Sequence, residues 1–554
     1  MICPQCQKQN REQAHYCKWC GSALSNDNTG PLADLVGMDN VKKQLMTLVA
    51  RYEEHQRRMK TTGVSHPFTA NIIISGEMGT GKTMLVEVIE KLFSQKGMTK
   101  HPATYILNSE EFDAFRNAKD FDANLAKAKG GILCIDAVHK LLPNGQDTNT
   151  TSLDRIFSGV QTWKGDPFVI LCGWSVVLDG YLKNNPNIRD RFDLVINLSG
   201  YTYEELTEIC SRRLLLTHGL GLSEDARKKL LRVVRQAKRD RLTDTNGYYA
   251  KNLADAIAIK HTAKGTQTST IITPDEVDGK EYVEQSFEEA IKQMDKYIGV
   301  DKIKDNIRNL TTMMKMQADR EGTEVKCKDH FLFLGNPGTG KTTIARVFAD
   351  VMAAMGVLKV GQLIEVSRKD LVAPYVGQTA PMVEAAVNKA IGGILFIDEA
   401  YTLSQGENDS VGHEAIDTLV KLLLDYKGRM VVILAGYTGD MKLFLDTNPG
   451  LGSRFTKKIH FDDYKPDELS QIFMIAAKKK KYIVPEETKQ AVDMQLQFMY
   501  DNRDRNFGNA RTANNLFEAV RQAMATRLLQ SGDVSADEMS TILPEDILKA
   551  AEAM

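Results

Sequence analysis

Two segments of the form G-x-x-x-x-G-K-[ST] stand in this chain, each behind an apolar run and ahead of a helical pattern. The first, Gly76-Glu77-Met78-Gly79-Thr80-Gly81-Lys82-Thr83, follows Asn71-Ile72-Ile73-Ile74-Ser75. The second, Gly335-Asn336-Pro337-Gly338-Thr339-Gly340-Lys341-Thr342, follows Phe331-Leu332-Phe333-Leu334. A strand, a tight turn and a helix are the context in which this pattern has a mechanism. The glycines let backbone N–H groups wrap phosphates, the lysine reaches the terminal phosphates, and the threonine hydroxyl takes Mg²⁺. Two nucleotide sites are therefore expected. One is built from Gly79, Thr80, Gly81, Lys82 and Thr83, the other from Pro337, Gly338, Thr339, Gly340, Lys341, Thr342 and Thr343.

The strands expected to carry the acidic residues differ between the copies. The second reads Gly392-Gly393-Ile394-Leu395-Phe396-Ile397-Asp398-Glu399, the first Gly130-Gly131-Ile132-Leu133-Cys134-Ile135-Asp136-Ala137. Asp398 and Asp136 can each help hold Mg²⁺. A carboxylate able to polarise an attacking water follows only in the second copy, at Glu399. One site is thus expected to hydrolyse nucleotide and the other to hold it. His139, three residues beyond Asp136, reads as a loop residue rather than a substitute base.

Length and composition narrow the rest. At 554 residues the chain has room for roughly three or four domains. Its 42% hydrophobic and 26% charged content is that of a soluble globular protein. A net charge of −1 gives no global attraction to nucleic acid or anionic membrane. No apolar run approaches the ~20 residues of a membrane span, and no basic-plus-apolar leader opens the sequence. The expectation is a cytoplasmic protein that engages neither membrane nor nucleic acid.

Four of the eight cysteines form one cluster, Cys3-Pro4-Gln5-Cys6 and Cys17-Lys18-Trp19-Cys20. Two C-x-x-C knuckles at this spacing can place four thiolates around Zn²⁺, and so short a segment has no other core. Disulfides would suit an oxidising compartment, which nothing else in the chain suggests. A structural zinc ribbon over 1–24 is expected, with a polar tether over 25–31. Cys134, Cys172, Cys210 and Cys327, scattered in apolar surroundings, read as small buried hydrophobes.

An internal repeat organises the remainder. Leu35-Val36-Gly37-Met38-Asp39 recurs as Tyr297-Ile298-Gly299-Val300-Asp301, and Val169-Ile170-Leu171-Cys172-Gly173-Trp174 as Val432-Ile433-Leu434-Ala435-Gly436-Tyr437. Asn185-Pro186 through Arg191-Phe192 recurs as Asn448-Pro449 through Arg454-Phe455, and Ser269 to Pro274 as Ser540 to Pro544. Within each copy short apolar strands alternate with helical patterns, which argues βαβ units and a mostly parallel sheet. After Leu206 and Leu469 the pattern turns wholly helical, predicting a lid over each nucleotide site. The expected division is 32–200 for the first α/β core, 201–280 for its lid and linker, 281–463 for the second core and 464–554 for the second lid. Lys478 to Lys481 reads as a solvated helix end, since no stacking aromatics interleave with it.

These residues together resemble an AAA+ ATPase. The second copy is similar to the branch containing the red-type Rubisco activase and the stage V sporulation protein K ATPases. The stretches that carry the resemblance are Gly335 to Thr343, Asp370 through Tyr375-Val376-Gly377 to Ala380, Phe396 to Tyr401, Leu434 to Tyr437, Asn448 to Phe455, and Gly508-Asn509-Ala510-Arg511. The fold class implied is α/β: two P-loop modules, each a parallel sheet with helices on both faces and a helical lid, behind the zinc ribbon. The resemblance implies that Arg454 is an arginine finger acting in a neighbouring subunit's site, and that Arg511 in the lid contacts the γ-phosphate. It implies Tyr437 or Thr438 as a first sensor, and Tyr375, Val376 and Gly377 as a pore loop gripping a polypeptide.

The first copy departs from that pattern consistently. Ala137 replaces the glutamate, Tyr248 falls where the lid arginine is expected, and Glu111-Phe112-Asp113-Ala114-Phe115-Arg116 stands in place of the Tyr-Val-Gly loop. Lys82, Thr83, Asp136 and Arg191 remain, which suits a nucleotide held for assembly. The resulting expectation is an ATPase using ATP, Mg²⁺ and a structural Zn²⁺, forming a homo-oligomer, expected to be a hexamer, that remodels or threads a protein client or adaptor-delivered substrate. The other reading is a nucleotide-gated oligomeric scaffold that recruits partners without threading.

Overall fold

The computed structural model describes residues 30–101 except 65, 104–107, 125–140, 151–264, 269–321, 325, 327, 329–373, 379–406, 409–504, 507–531, 535 and 537–553. Cys3, Cys6, Cys17 and Cys20, the Glu111–Arg116 segment, and Tyr375, Val376 and Gly377 lie outside the described residues. The chain divides into two compact units, residues 1–283 with 373–388, and residues 284–372 with 389–554.

In the first unit five parallel strands form one sheet: β1 (Ile72–Gly76), β2 (Thr104–Leu107), β3 (Ile132–Ile135), β4 (Phe168–Gly173) and β5 (Leu194–Leu198), in the order β2-β3-β4-β1-β5. The unbroken aliphatic runs of β1, β3 and β4 are fully buried, as strands covered on both faces must be. The P-loop leaves the C-terminal end of β1 and enters the helix Lys82–Gln95, whose Leu85, Val86, Ile89, Leu92 and Phe93 pack into the core. Three longer helices, Tyr203–His218, Glu224–Arg239 and Gly247–Ala263, make the lid. Thr202 opens it with a reciprocal cap, its side chain accepting from the Glu205 N–H while Glu205 accepts from the Thr202 N–H. The lid is not wholly helical: β6 (Gly221–Leu222) pairs in parallel with β7 (Ile271–Ile272). This gives the closing repeat around Ser269–Pro274 its place, as an edge strand.

The second unit repeats the plan. Strands β8 (Phe331–Gly335), β9 (Leu363–Val366), β10 (Ile394–Ile397), β11 (Val431–Gly436) and β12 (Lys457–Phe461) are parallel in the order β9-β10-β11-β8-β12. Phe331, Phe333, Phe396 and Phe461 cross the sheet into the helix Lys341–Ala354, where Phe348 meets Phe331 edge to face at 5.0 Å. The lid helices are Pro466–Lys479, Glu486–Asp501, Ala510–Ser531 and Pro544–Ala553, and an Ile483–Thr541 bridge replaces the short ribbon.

Cys134, Cys172, Cys210 and Cys327 are buried and unbridged, as their surroundings suggested. Among the described residues no helix is long and apolar enough to cross a membrane, and no group of three or more His, Cys, Asp or Glu side chains is placed to hold a metal ion.

Candidate functional site

Both P-loops take the same shape. Gly338 and Gly340 have φ of 71° and 90°, Gly79 and Gly81 of 72° and 91°, left-handed conformations that L side chains resist. A Cβ on Gly338 would stand 2.0 Å from the Gly508 carbonyl oxygen, and one on Gly79 would stand 2.1 Å from that of Thr245. The lid backbone thus rests directly on each loop, and only glycine fits there. Thr339 and Thr80 brace the turn from within, donating to the Asn336 and Glu77 carbonyls at 2.8 Å.

Lys341 Nζ donates to the Gly335 and Asn336 carbonyls at 2.9 and 2.8 Å, and Lys82 Nζ to those of Gly76 and Glu77 at 2.8 Å. Burial lowers the pKa of Lys341, opposed by the Asp398 and Glu399 carboxylates and reinforced by the Arg511 charge. Burial does the same to Lys82, opposed by Asp136 among others. A partly buried ammonium on neutral acceptors has most to gain from an anion, so both loops fit a phosphate.

The acidic strand end follows at β10. Asp398 donates its N–H to the Val366 carbonyl at 3.0 Å and accepts from the Glu399 N–H at 3.1 Å. Glu399 itself is left-handed, with φ of 47°. In the first unit Ala137 has φ of 53° and its N–H donates to Asp136 at 2.7 Å. A non-glycine residue pays roughly 1–2 kcal/mol for such a conformation. In the second unit that strain positions a carboxylate; in the first it positions a methyl group.

A cavity of about 860 Å³ joins these pieces in the second unit, a size that suits a nucleotide-sized ligand. Lys341, Thr342, Asp398, Glu399 and Arg511 line one end. Pro337, Gly338, Gly340 and Thr343 also border it, while Thr339 does not and acts as the internal brace. Tyr297, Ile298, Val300, Ile472 and Phe517 add apolar lining to the same cavity, the kind of surface on which a flat base packs. Of the two sensor candidates, Tyr437 lines the cavity and Thr438 is not among its lining residues. Lys479 and Lys480 edge the cavity, and Lys480 pairs with Glu518 at 2.8 Å, so the basic run closes a helix end.

Arg454 is not brought to this cavity. Its Nη1 donates to its own Gly450 carbonyl at 2.7 Å, and its Nε is buried with no hydrogen-bond partner. Arg191 is held similarly, on the Phe157 and Asn187 carbonyls. Tyr248 begins the helix Gly247–Ala263 where Arg511 begins Ala510–Ser531, as the matched intervals predicted.

Sequence reasoning missed the apolar part of the lining. Tyr297, Ile298 and Val300 were visible only as part of a repeat, and Ile472 and Phe517 as lid hydrophobes. It also missed Asn509. This residue is fully buried, has φ of 51° and bonds to both the lid hinge and the P-loop.

A P-loop α/β core with a helical lid over its nucleotide pocket defines a class of ATPase, and comparison with known proteins agrees. The profile of the ATPase family associated with various cellular activities (AAA) matches residues 331–463, and that of the AAA lid domain matches 465–554. The chain is 35% identical over 280 residues to a CfxQ homolog of Galdieria sulphuraria, covering 49% of this chain and 91% of that protein. It is 37% identical over 271 residues to stage V sporulation protein K of Bacillus subtilis, covering 48% and 84%. It is 39% identical over 278 residues to the ESX-1 secretion system protein EccA1 of Mycolicibacterium smegmatis, covering 47% of this chain. The matched stretch spans about half (48%) of EccA1's length. The chain belongs to the AAA family of ATPases. A solved structure of the S. cerevisiae Hsp104-ADP complex shares the fold, with a TM-score of 0.51 at 16% identity over 89% of this chain and 96% of that one.

Proposed function

We propose that this protein is a tandem AAA+ ATPase that couples ATP hydrolysis in its second unit to the remodelling of a protein substrate. The observation that carries this reading is the convergence of Lys341, Thr342, Asp398, Glu399 and Arg511 on one cavity that also has apolar lining. The P-loop N–H groups and Lys341 hold the β- and γ-phosphates, Thr342 and Asp398 hold Mg²⁺, Glu399 orients and deprotonates the attacking water, and Arg511 faces the γ-phosphate. Mg²⁺, when bound, neutralises charge on the phosphates. The first unit shares the strand order and loop geometry but has Ala137 and Tyr248 at the catalytic positions, which suits a nucleotide kept in place by Gly79, Thr80, Gly81, Lys82, Thr83 and Asp136. Arg454, which does not line its own unit's cavity, and its counterpart Arg191 act across subunits in a hexameric ring.

Remodelling rather than scaffolding rests on Tyr375, Val376 and Gly377 as a substrate-gripping loop. Tyr375→Ala should keep ATP hydrolysis within about twofold of wild type, since a residue that grips substrate takes no part in the phosphate chemistry, while work on an unfolded test polypeptide disappears. Unchanged substrate work in that variant would favour the scaffold.

The Cys3, Cys6, Cys17 and Cys20 cluster serves as a zinc-bound recruiting module, since four thiolates leave the metal no open position. Purified protein should contain one zinc per chain, lost in a Cys17→Ser, Cys20→Ser variant. Deleting residues 1–30 should spare basal ATP hydrolysis and weaken capture of the client or its adaptor. Loss of basal hydrolysis on deletion would remove the recruiting role.

A further inference from the structure

The lid's first residue is wired to the P-loop by a side chain that the assignments above leave unused. Asn509 accepts the Tyr464 N–H on Oδ1 at 2.9 Å, and Tyr464 is the residue at which the core gives way to the lid. Its Nδ2 donates to the Pro337 carbonyl in the P-loop at 3.2 Å and to Asp463 Oδ1 at 2.9 Å. Asp463 in turn accepts from Asn336 Nδ2, again in the P-loop, at 2.9 and 3.1 Å. The Ala510 N–H adds a backbone bond to the Gly338 carbonyl at 3.3 Å. Loop, hinge and lid therefore close a polar ring around one fully buried asparagine, and Arg511 stands two residues beyond it.

The first unit contains the same asparagine and half of the ring. Asn246, with φ of 51°, accepts the Tyr201 N–H at 3.2 Å and donates to the Met78 carbonyl at 3.1 Å. Glu77 stands where Asn336 does, and Gly200 where Asp463 does. A Cβ on Gly200 would meet Asn246 Oδ1 at 2.8 Å, so the space that holds a carboxylate in one unit is closed in the other. The complete ring accompanies the lid arginine and the glutamate; the reduced ring accompanies Tyr248 and Ala137.

Backbone conformation alone does not explain Asn509. Glycine adopts a positive φ more readily than asparagine, so a residue kept only for its φ needs no amide. A buried amide whose oxygen and nitrogen bond to different segments fixes the distance between those segments, and leaving its partners unpaired is costly.

We propose that Asn509 is a positioning residue for ATP hydrolysis: it sets where Arg511 stands against the P-loop, with Asp463 and Asn336 stiffening that link in the second unit. This rests on the reading of Arg511 as a γ-phosphate contact. The link makes lid orientation depend on the conformation of the loop that holds the phosphates, the coupling a hydrolysis-driven lid movement requires.

The test is a double-mutant cycle on the full chain, measuring steady-state ATP hydrolysis with thermal melting alongside. Asn509→Gly keeps the backbone conformation and removes both side-chain links. It should lower kcat about tenfold or more, since small misplacements of a reacting group cost up to about 100-fold. Adding Arg511→Ala to it should cost less than about threefold further, because both substitutions remove the same function. Losses that multiply, or a wild-type kcat in Asn509→Gly, would overturn the proposal. A purely structural asparagine predicts a lower melting temperature with kcat per folded chain unchanged, which overturns it equally. Asp463→Gly, copying the first unit, removes one partner of Asn509 while leaving Asn509 itself in place and should lower kcat in the same direction by a smaller factor; an unchanged kcat there counts against the ring. If Arg511→Ala alone leaves kcat intact, the lid-arginine assignment is what fails. A loss in Arg511→Ala with none in Asn509→Gly sinks the positioning role alone.

Discussion

Glu399→Gln will reduce ATP turnover by at least about 100-fold, the usual range for loss of a general base being 10²–10⁴, while nucleotide still binds. The amide is isosteric with the carboxylate and keeps the left-handed backbone that Glu399 adopts at φ of 47°. It cannot take a proton from water. Lys341, Thr342 and Asp398, which face the phosphate end of the same cavity, are untouched, so binding of a fluorescent ATP analogue should stay within about threefold of wild type, as expected when only a transition-state interaction is removed. The reciprocal substitution, Ala137→Glu, should leave total turnover nearly unchanged. It restores a carboxylate on the matching backbone, φ of 53°, but not a lid arginine, because Tyr248 occupies that place. Retention of more than about a tenth of wild-type activity in Glu399→Gln would remove Glu399 from the catalytic role, given the general-base range.

How far the site could be read from sequence depended on how locally each part is encoded. The P-loop needs one contiguous run of residues, and the acidic strand end needs one strand, so Lys341, Asp398 and Glu399 were legible from their neighbours. The lid position of Arg511 and its replacement by Tyr248 followed from the equal intervals of an internal repeat. The apolar lining had no such encoding. Tyr297, Ile298, Ile472 and Phe517 come from three distant segments, and each is an ordinary hydrophobe until the fold brings them together. Asn509 was quoted as part of a motif, yet asparagine is common in loops; its burial and the two segments it joins exist only in three dimensions. The Thr339 hydroxyl braces the loop from within, a distinction of side-chain direction that the G-x-x-x-x-G-K-[ST] pattern does not carry. The lid ribbon Gly221–Leu222 with Ile271–Ile272 escaped notice because two residues are too few to show a strand periodicity.

Rings assembled from a mixture of Lys341→Ala and Arg454→Ala chains should recover ATP hydrolysis that neither variant shows alone. Arg454 does not line the cavity of its own chain, and its guanidinium is parked on the Gly450 carbonyl with Nε buried and unpartnered. A guanidinium whose Nε is buried and unbonded is costly to keep, and after burial its charge, with that of Lys427, helps push the pKa of nearby His330 down to about 4. A phosphate presented by a second chain would give that guanidinium a charge-assisted partner. An arginine supplied in trans to a transferring phosphoryl group is worth on the order of 10³–10⁵ in rate, so each single variant should lie near background. In a mixed ring, a chain bearing Arg454→Ala has an intact P-loop and can receive Arg454 from a neighbouring Lys341→Ala chain. For randomly mixed equal amounts, one interface in about four pairs an intact loop with an intact finger, which sets the expected ceiling at about a quarter of wild-type turnover if sites act independently. The measurement is ATPase activity against mixing ratio, with mixed assembly verified by differential tagging. A bell-shaped curve with its maximum near equal mixing supports the trans assignment. Activity that stays at background in verified mixed rings places the function of Arg454 within its own chain.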